Sequence, residues 1–231
     1  MKAFLLAAGL GTRLRPLTDS TPKCLLPIQG VPMLAIWLRL CYQFGINEVL
    51  INTHTHSDSV KNYLAEHRNG VRATVVDEPV LLGSAGTILS HRHWVANEDC
   101  FWVIYADVLT RADLGRMMQF HKGHDGVATL GGYEVPDPER CGIMEVDESG
   151  RIRRFVEKPR IPVGRLAFSG VMIANRPLLE AIPEKVPADL GFDVLPNLAG
   201  KMFAYPISEY LLDIGTMENY KVAQETWPGL G

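Results

Sequence analysis

Three cationic side chains in one glycine- and proline-rich loop are the first residues of this chain that could do chemistry. Arg13, Arg15 and Lys23 lie within residues 5–30, LLAAGLGTRLRPLTDSTPKCLLPIQG, which begin as an apolar run. Glycine lets backbone N–H groups approach an anion closely, and proline stiffens a loop. A preorganised loop that carries arginine and lysine suits a polyphosphate whose charge builds up during a reaction.

Two familiar phosphate-binding loops do not fit this stretch. Gly9 and Gly11 match the start of the dinucleotide fingerprint GxGxxG, but Leu14 occupies the third glycine position. That fingerprint also expects an acid at the end of the second strand, where this chain has Asn52. No Lys-Ser or Lys-Thr pair follows a glycine, as a P-loop requires. An NAD(P)-binding oxidoreductase is therefore a weak alternative. The simplest alternative is that the glycines form a tight turn whose basic residues are solvated and bind no phosphate.

Two aspartates each end an apolar run far from the loop. Asp107 ends FWVIYAD and Asp213 ends YLLD. A buried carboxylate is costly unless it is paired, and α/β sheets bind ligands at the carboxyl ends of parallel strands. Two carboxylates brought together could hold one Mg²⁺. The alternative for each aspartate is an N-cap of the following helix.

Apolar runs that alternate with amphipathic stretches predict the elements that position these residues. The predicted strands span residues 2–7, 48–52, 72–76, 101–107, 126–135, 142–148, 151–157 and 167–174, with a turn at Ser149–Gly150. The predicted helices span residues 32–44, 57–66 with Ser57 as N-cap, 84–92, 112–121, 189–199 and 216–226. This order indicates the α/β class, with a mainly parallel sheet covered on both faces.

Length, charge and hydropathy narrow the functional classes. The chain has 231 residues and a net charge of −3, which suits one domain and argues against a general binder of nucleic acid or anionic membranes. No apolar stretch is long enough for a membrane span, and the charged GTRLR follows too early for a signal peptide. We therefore expect a cytoplasmic protein.

Cysteine and histidine spacing indicates no metal site. The widely spaced cysteines predict reduced thiols, mostly in the core, rather than disulfides or zinc ligands. They are Cys24, Cys41, Cys100 and Cys141. The histidine groups THTH (53–56), HRH (91–93) and HKGH (121–124) lack acids at matching spacing, so we expect surface or loop residues.

The segment from Leu6 to Ile28 resembles the signature LAAGxGTRLxPLTxxxPKxLLPI of sugar-1-phosphate nucleotidylyltransferases. The family's other motifs follow in order: LGSAGTI (82–88), Asp107, EKP (157–159), FSG (168–170) and LLDIGTMENY (211–220). The resemblance implies a Rossmann-like three-layer sandwich with a mainly parallel mixed sheet, of the nucleotide-diphospho-sugar transferase type. It also implies one domain over residues 1–231, with a nucleotide-binding half (about 1–125) and a sugar-binding half (about 126–231).

The resemblance further implies that a nucleoside triphosphate and a sugar 1-phosphate give a nucleotide-sugar and pyrophosphate, with Mg²⁺ as cofactor. It assigns catalysis to Arg13, Lys23 and Asp107, and metal binding to Asp107 and Asp213. The implied nucleotide-binding residues are Leu6, Ala8, Gly9, Gly11, Thr12, Arg13 and Gly83. The implied sugar-phosphate-binding residues are Gly142, Glu157, Lys158 and Gly170.

Some positions depart from the family pattern. Tyr105–Ala106 replaces the usual Asn-Gly before the metal-binding aspartate, and Ser169 precedes Gly170 where many members have Asn. The form LGSAG, without Gln nearby, resembles guanylyltransferases, which favours GTP with mannose or heptose 1-phosphate. UTP with N-acetylmuramate 1-phosphate is the next alternative, then CTP or dTTP. An inactive nucleotide-sugar sensor and a homo-oligomer both stay open.

Overall fold

The computed structural model describes residues 1–67 and 70–230, so Arg68, Asn69 and Gly231 of the expected domain lie outside the described residues. The strands are β1 (Lys2–Leu6), β2 (Pro27–Ile28), β3 (Val31–Pro32), β4 (Glu48–Thr53), β5 (Arg72–Asp77), β6 (Cys100–Tyr105), β7 (Val108–Thr110), β8 (Ala128–Glu134), β9 (Gly142–Val146), β10 (Ile152–Glu157), β11 (Leu166–Asn175), β12 (Met202–Pro206) and β13 (Leu211–Asp213). The α-helices are α1 (Met33–Gln43), α2 (Ser57–Glu66), α3 (Ser84–Ser90), α4 (Leu114–Lys122), α5 (Pro177–Glu180) and α6 (Met217–Thr226).

The chain divides into two compact units. The first comprises Met1–Leu81, Ile104–Ala112 and Glu209–Gly231, and the second comprises Leu82–Val103 and Asp113–Ser208. The late segment that carries Asp213 thus belongs to the same unit as the opening loop. The predicted nucleotide-binding half (about 1–125) and sugar-binding half (about 126–231) refer to function rather than to these two units, and they stay a prediction.

Parallel strands form the centre of the first unit. β4 lies between β1 and β5 and pairs with both in parallel. The middle residues of β1, Ala3–Leu5, are fully buried, as expected for a strand whose two faces are both covered. The indole N–H of Trp37 in α1 donates to the Val108 carbonyl at 2.8 Å, which ties the helix to β7.

The second unit is mostly antiparallel. β8 pairs antiparallel with β11 and parallel with β12, while β9 pairs antiparallel with both β10 and β11. The turn predicted at Ser149–Gly150 joins β9 to β10: the Asp147 carboxylate accepts hydrogen bonds from the Ser149 N–H and hydroxyl at 2.9 and 2.6 Å. Such a short connection is possible only between antiparallel strands.

Two helix predictions are wrong in detail. Residues 189–199 form a π-helical turn, Leu190–Val194, and then a 3-10 turn, Leu195–Leu198. Pro196 lacks the N–H that a regular helix would use there, which explains the break. Ser57 is the first residue of α2 rather than its N-cap, and its hydroxyl oxygen accepts a hydrogen bond from Thr53 at 3.0 Å.

His121 corrects the expectation that the histidines are surface or loop residues. It is only 4% exposed and lies within α4. Its Nδ1 lies 2.8 Å from the Thr129 hydroxyl and its Nε2 3.0 Å from Asn175 Oδ1. His124 Nε2 also lies 2.8 Å from the Thr129 hydroxyl, and the Gly126 N–H donates to His124 Nδ1 at 3.0 Å.

The four cysteines carry free thiols. Burial raises the pKa of Cys24 and of Cys41 to about 12, so both act as apolar core residues. Cys100 and Cys141 are partly exposed. None of the helices in the described ranges is long and apolar enough to span a membrane.

Candidate functional site

The loop between β1 and α1 is built from the short 3-10 turns Thr12–Leu14, Leu17–Asp19 and Lys23–Leu25. Gly11 has a φ of +63°, and a Cβ there would lie 2.9 Å from Thr18 Cγ2. The Thr18 hydroxyl also donates to the Gly11 carbonyl at 2.8 Å. The conformation of the loop itself therefore requires glycine at position 11.

Gly9 is a glycine that the fold does not require. Among the described residues, nothing lies within 4 Å of the position its Cβ would occupy, and its φ is not positive. Gly9 and Thr12 are exposed, whereas Leu6 is half-buried and Ala8 is buried. Close approach of a ligand to the backbone is a physical reason for glycine at position 9. Nucleotide contact by these residues stays a prediction.

Four charged side chains meet around Gly215 in the first unit. Lys23 Nζ lies 2.5 Å from Asp107 Oδ2. A Cβ on Gly215 would lie 2.6 Å from Asp213 Oδ1, 2.8 Å from Arg13 Nη2 and 3.3 Å from Lys23 Nζ. The absence of a side chain at Gly215 therefore leaves room for this cluster.

Arg15 does not join the cluster around Gly215. Its side chain is 66% exposed and forms an ion pair with Asp19 at 3.3 Å. Of the three cations that the sequence places in the loop, only Arg13 and Lys23 reach the carboxylates. The loop thus contains both a functional candidate and an ordinary surface arginine.

A short antiparallel ladder places the two carboxylates. β6 ends at Tyr105, earlier than predicted, so Asp107 lies in the turn before β7. β7 pairs with β13, with Asp213 opposite Val108, and the Ile214 N–H donates to the Asp107 carbonyl at 2.9 Å. Asp107 and Asp213 are thereby fixed at the same end of the ladder.

The helix-cap alternative is wrong for both aspartates. The N-cap of α6 is Thr216, whose hydroxyl accepts a hydrogen bond from the Asn219 N–H at 3.2 Å. The N-cap of α4 is Asp113. Asp107 and Asp213 are therefore available for another role.

Charge crowding marks Asp213. Burial raises the pKa of its carboxyl, and the nearby charge of Asp107 raises it further, while Lys23, the Gly215 N–H and Arg13 act in the opposite direction. The Gly215 N–H donates to Asp213 Oδ1 at 2.5 Å. Two carboxylates that lie close enough to repel each other favour the binding of a cation between them.

This donor set fits Mg²⁺. Magnesium is usually held by one or two carboxylates together with waters and substrate phosphates. Across residues 1–67 and 70–230, no group of three or more His, Cys, Asp or Glu side chains is arranged to hold a metal. Asp107 and Asp213 would therefore supply the protein's share of the ligands, and the remaining positions would be open to phosphate and water.

A buried polar pair that sequence reasoning missed supports the start of the loop. Asn52 Oδ1 accepts a hydrogen bond from the Ala7 N–H at 2.7 Å, and its Nδ2 donates to Glu78 Oε1 at 2.9 Å. Asn52 and Glu78 are 4% and 3% exposed. In the sequence, Asn52 stands out only because it occupies a position where an acid is expected. An asparagine at the end of a strand can, however, accept a hydrogen bond from the backbone that follows a neighbouring strand.

In the second unit, the Glu157 carboxylate lies between two glycines. A Cβ on Gly142 would lie 2.6 Å from Glu157 Oε2, and one on Gly191 would lie 2.5 Å from the same atom. Burial raises the pKa of Glu157, Lys158 lowers it and Asp189 raises it. Lys158 has a φ of +47°, and its Nζ is 3.7 Å from Glu157 Oε1. The structure thus brings Gly142, Glu157 and Lys158 together, and their contacts with a sugar phosphate stay a prediction.

Gly170 and Gly83 have clear structural reasons to be glycine. Gly170 has a φ of +80° and lies where the register between β11 and β8 shifts. Gly83 has a φ of +79°, and a Cβ there would lie 2.3 Å from the Ala188 carbonyl oxygen. Ser169 beside Gly170 is buried, and its hydroxyl accepts a hydrogen bond from the Val171 N–H at 3.2 Å. Substrate contacts by Gly83 and Gly170 stay predictions.

The sequence from residue 2 to residue 227 matches the model of the nucleotidyl transferase family. The chain therefore belongs to the nucleotidyl transferase family, as its loop motif predicts.

Relatives and solved structures specify the likeness further. The chain is 33% identical over 226 residues to the mannose-1-phosphate guanylyltransferase catalytic subunit beta of Xenopus tropicalis, covering 95% of this chain and 62% of that protein. It is likewise 33% identical over 227 residues to a protein of Oryza sativa subsp. japonica named "Probable mannose-1-phosphate guanylyltransferase 1", covering 95% of this chain and 63% of the rice protein. The chain thus spans less than two thirds of the length of these curated relatives.

A UDP-glucose pyrophosphorylase solved in complex with UDP-glucose has a TM-score of 0.85 and 25% identity, covering 97% of each chain. The predicted α/β class, with a mixed and mostly parallel sheet, is confirmed by this likeness.

Proposed function

We propose that this chain joins a nucleoside triphosphate to a sugar 1-phosphate, giving a nucleotide-sugar and pyrophosphate. The observation that carries the proposal is the cluster around Gly215, where Arg13 and Lys23 face Asp107 and Asp213. Two cations and two carboxylates in one loop-lined site suit a reaction in which phosphate charge moves. Family membership and the named activities of the relatives support this proposal.

The chemistry is an in-line transfer. A phosphate oxygen of the sugar 1-phosphate attacks the α-phosphorus, and the bond from that phosphorus to the bridging oxygen breaks. Pyrophosphate leaves with the electron pair. No protein nucleophile is needed, so the enzyme contributes positioning and charge stabilisation. Arg13 would bind the triphosphate and neutralise the leaving pyrophosphate, and Lys23 would lie near the reacting phosphates.

The start of the loop would bind the nucleotide. Leu6 and Ala8 would line the base, the backbone at Gly9 would approach the nucleotide, and Gly11 and Thr12 would continue the contact surface. The hydrogen bond from the Ala7 N–H to buried Asn52 supports this role because it fixes the backbone just before Gly9. By resemblance, Gly83 would add a further nucleotide contact.

The second unit would bind the sugar 1-phosphate. The half-buried Glu157 would accept hydrogen bonds from sugar hydroxyls, and the 56%-exposed Lys158 side chain would pair with the phosphate. Gly142 and Gly170 would let the backbone approach the sugar. Asp107 and Asp213 would hold Mg²⁺, which when bound neutralises phosphate charge.

GTP with mannose or heptose 1-phosphate is the favoured substrate pair, because relatives that are 33% identical to this chain are named as mannose-1-phosphate guanylyltransferases. A UTP-dependent enzyme that uses an N-acetylmuramate-1-phosphate-type sugar is the alternative, and the likeness to a UDP-glucose pyrophosphorylase favours uridine. An inactive nucleotide-sugar sensor is a third candidate. We further propose one functional domain that works in the cytoplasm on small-molecule substrates, without nucleic acid or membrane partners.

Pyrophosphate release across a matrix of triphosphates and sugar 1-phosphates tests this function. We expect turnover with Mg²⁺, highest with GTP and mannose or heptose 1-phosphate, and none after chelation of the metal. Asp107→Ala should lower kcat by at least about a hundredfold because it removes a metal ligand. Circular dichroism should show that the variant keeps its fold.

The outcomes separate the candidates. Release with UTP alone would favour the uridylyltransferase. Tight binding of a nucleotide-sugar without any pyrophosphate release would favour the sensor. Turnover of Asp107→Ala at the wild-type rate would overturn the assignment of Asp107 to the metal.

A further inference from the structure

An unusual turn lies against the Glu157 carboxylate. Residues Leu190–Val194 form a π-helical turn, a rare geometry that occurs often at functional sites. Asp189 Oδ1 accepts hydrogen bonds from the Gly191 and Phe192 N–H groups at 2.8 and 3.1 Å. Asp193 Oδ2 accepts one from the Asp189 N–H at 2.8 Å. The two aspartate carboxylates thus hold the backbone from Asp189 to Phe192, which fixes the position from which the Phe192 side chain extends.

Phe192 projects from this fixed turn into solvent. The residue is 57% exposed, whereas the neighbouring Leu190, Gly191 and Val194 are buried. Its ring centroid lies 5.5 Å from Lys158 Nζ. The preceding residue, Gly191, is the one whose missing side chain leaves room for Glu157.

We propose that Phe192 is a sugar-binding residue whose ring packs against the C–H face of the pyranose in the sugar 1-phosphate. The inference rests on the proposed function, because Glu157 and Lys158 are its partners. A pyranose carries hydroxyls around its rim and C–H groups on its faces, so it needs both polar and apolar contacts. Glu157 would bind the rim, Lys158 the phosphate and Phe192 the apolar face.

The geometry supports a substrate-facing role over simple packing. Covering an aromatic ring with apolar surface lowers the free energy. The exposed Phe192 ring is not covered in this way, so a bound ligand would supply that stabilisation. The contact between Lys158 and the ring adds a cation–π attraction, which keeps the ammonium group on the same side as the ring. Phe192 would thus select a cyclic sugar phosphate over a free phosphate.

Steady-state kinetics with mannose 1-phosphate as the varied substrate test the role of Phe192. Phe192→Ala should raise the KM for the sugar phosphate about tenfold and leave the KM for GTP unchanged. Phe192→Tyr keeps the ring and should stay within about twofold of wild type. The matched control is Tyr42→Ala, which removes another exposed aromatic, 60% exposed on α1 in the first unit. It should change neither KM.

Inhibition by inorganic phosphate separates sugar contact from an effect through Lys158. If the ring binds sugar, Phe192→Ala should leave phosphate inhibition unchanged. An equal loss for phosphate and sugar phosphate would overturn the proposal, because the ring would then act only by placing Lys158. An unchanged KM for mannose 1-phosphate would also overturn it.

Direct binding keeps the test independent of turnover. If wild type releases no pyrophosphate with any substrate pair, the proposed function fails, and calorimetric titration of mannose 1-phosphate still tests Phe192. Weaker binding to Phe192→Ala than to wild type would support the inference. Equal binding, or no binding to wild type, would overturn it.

Discussion

Arg13 and Arg15 lie in the same loop but in different environments. Arg13 Nη2 reaches the space around Gly215, whereas the Arg15 guanidinium forms an ion pair with Asp19. We expect Arg13→Gln to lower kcat/KM about a hundredfold or more, because a charge-stabilising contact to the leaving pyrophosphate is lost. Arg15→Gln should stay within about threefold, since exposed ion pairs contribute little.

The two arginine variants are a matched pair for kinetic analysis, because each removes one guanidinium from one loop. Pyrophosphate-release kinetics with both substrates varied give the comparison. An equal fall in kcat/KM in the two variants would contradict the prediction. It would mean that activity depends on the total positive charge of the loop and not on the position of Arg13.

At the scale of single residues, the sequence singles out the charged residues of the cluster but not the contacts that support it. Asp107 and Asp213 stand out because each ends an apolar run, and the ladder of β7 and β13 places them at the same end; their role as metal ligands stays a prediction. Asn52 and Phe192 do not stand out in the sequence. Their roles depend on which backbone atoms and side chains lie beside them, and a linear pattern does not contain that information.

Gly83 and Gly9 differ in whether the surrounding structure leaves room for a side chain. A Cβ on Gly83 would collide with the Ala188 carbonyl, whereas one on Gly9 would meet open space. Gly83→Ala should lower the free energy of unfolding by about 1–3 kcal/mol, because it adds a clash and a strained φ at the start of α3. Gly9→Ala should leave stability within about 0.5 kcal/mol of wild type.

Urea unfolding and nucleotide kinetics together check the two glycines. Gly9→Ala should raise the KM for the triphosphate despite its normal stability, because the methyl group blocks close approach of the nucleotide. Wild-type stability of Gly83→Ala would contradict the packing of α3 against Ala188.

Long amphipathic or apolar runs predict their elements well, and short or irregular elements escape prediction. α1 is long enough to show a helical period, and β4 contains a continuous apolar run that is buried on both faces. β7 and β13 have three residues each, and they pair with each other although they are far apart in the sequence. No local pattern indicates that pairing. The π-helical turn Leu190–Val194 has the composition of an ordinary helix, and its geometry comes from its two aspartate partners and the proline that follows.

At the scale of the whole molecule, a closed set of hydrogen bonds links stability to pH. The Gly126 N–H donates to His124 Nδ1, so His124 Nε2 must donate to Thr129. Thr129 then donates to His121 Nδ1, and His121 Nε2 donates to Asn175 Oδ1. Asn175 closes the ring by donating to the Gly126 carbonyl at 2.8 Å. Each hydrogen bond in the ring thus has one assigned donor, and both imidazoles are neutral.

Acid should therefore destabilise the protein. Burial lowers the pKa of His121, although Asn175 opposes the shift. The pKa of His124 is lowered by burial, by His121 and by Arg151, and Asp125 opposes this. An unfolded histidine takes up its proton near pH 6.5. The native state binds protons less readily, so stability is full above about pH 6.5 and falls as the pH drops through the folded pKa values.

Unfolding free energies measured in urea between pH 7.5 and 5.5 check this dependence. His121→Gln should be less stable than wild type at pH 7.5 but should lose less stability on acidification, since one titrating group is gone. His93→Gln, at an exposed position, should keep the wild-type slope. The same slope in His121→Gln and wild type would contradict the role of the ring.

The ladder of β7 and β13 has a consequence for biosynthesis. Asp107 and Asp213 are far apart along the chain, and β13 fixes the second carboxylate beside the first. On the ribosome, Arg13, Lys23 and Asp107 emerge long before residue 213 is translated. A nascent polypeptide at that stage lacks part of the proposed magnesium site. Under the proposed function, the growing chain would therefore turn over nucleotide only after β13 has been added.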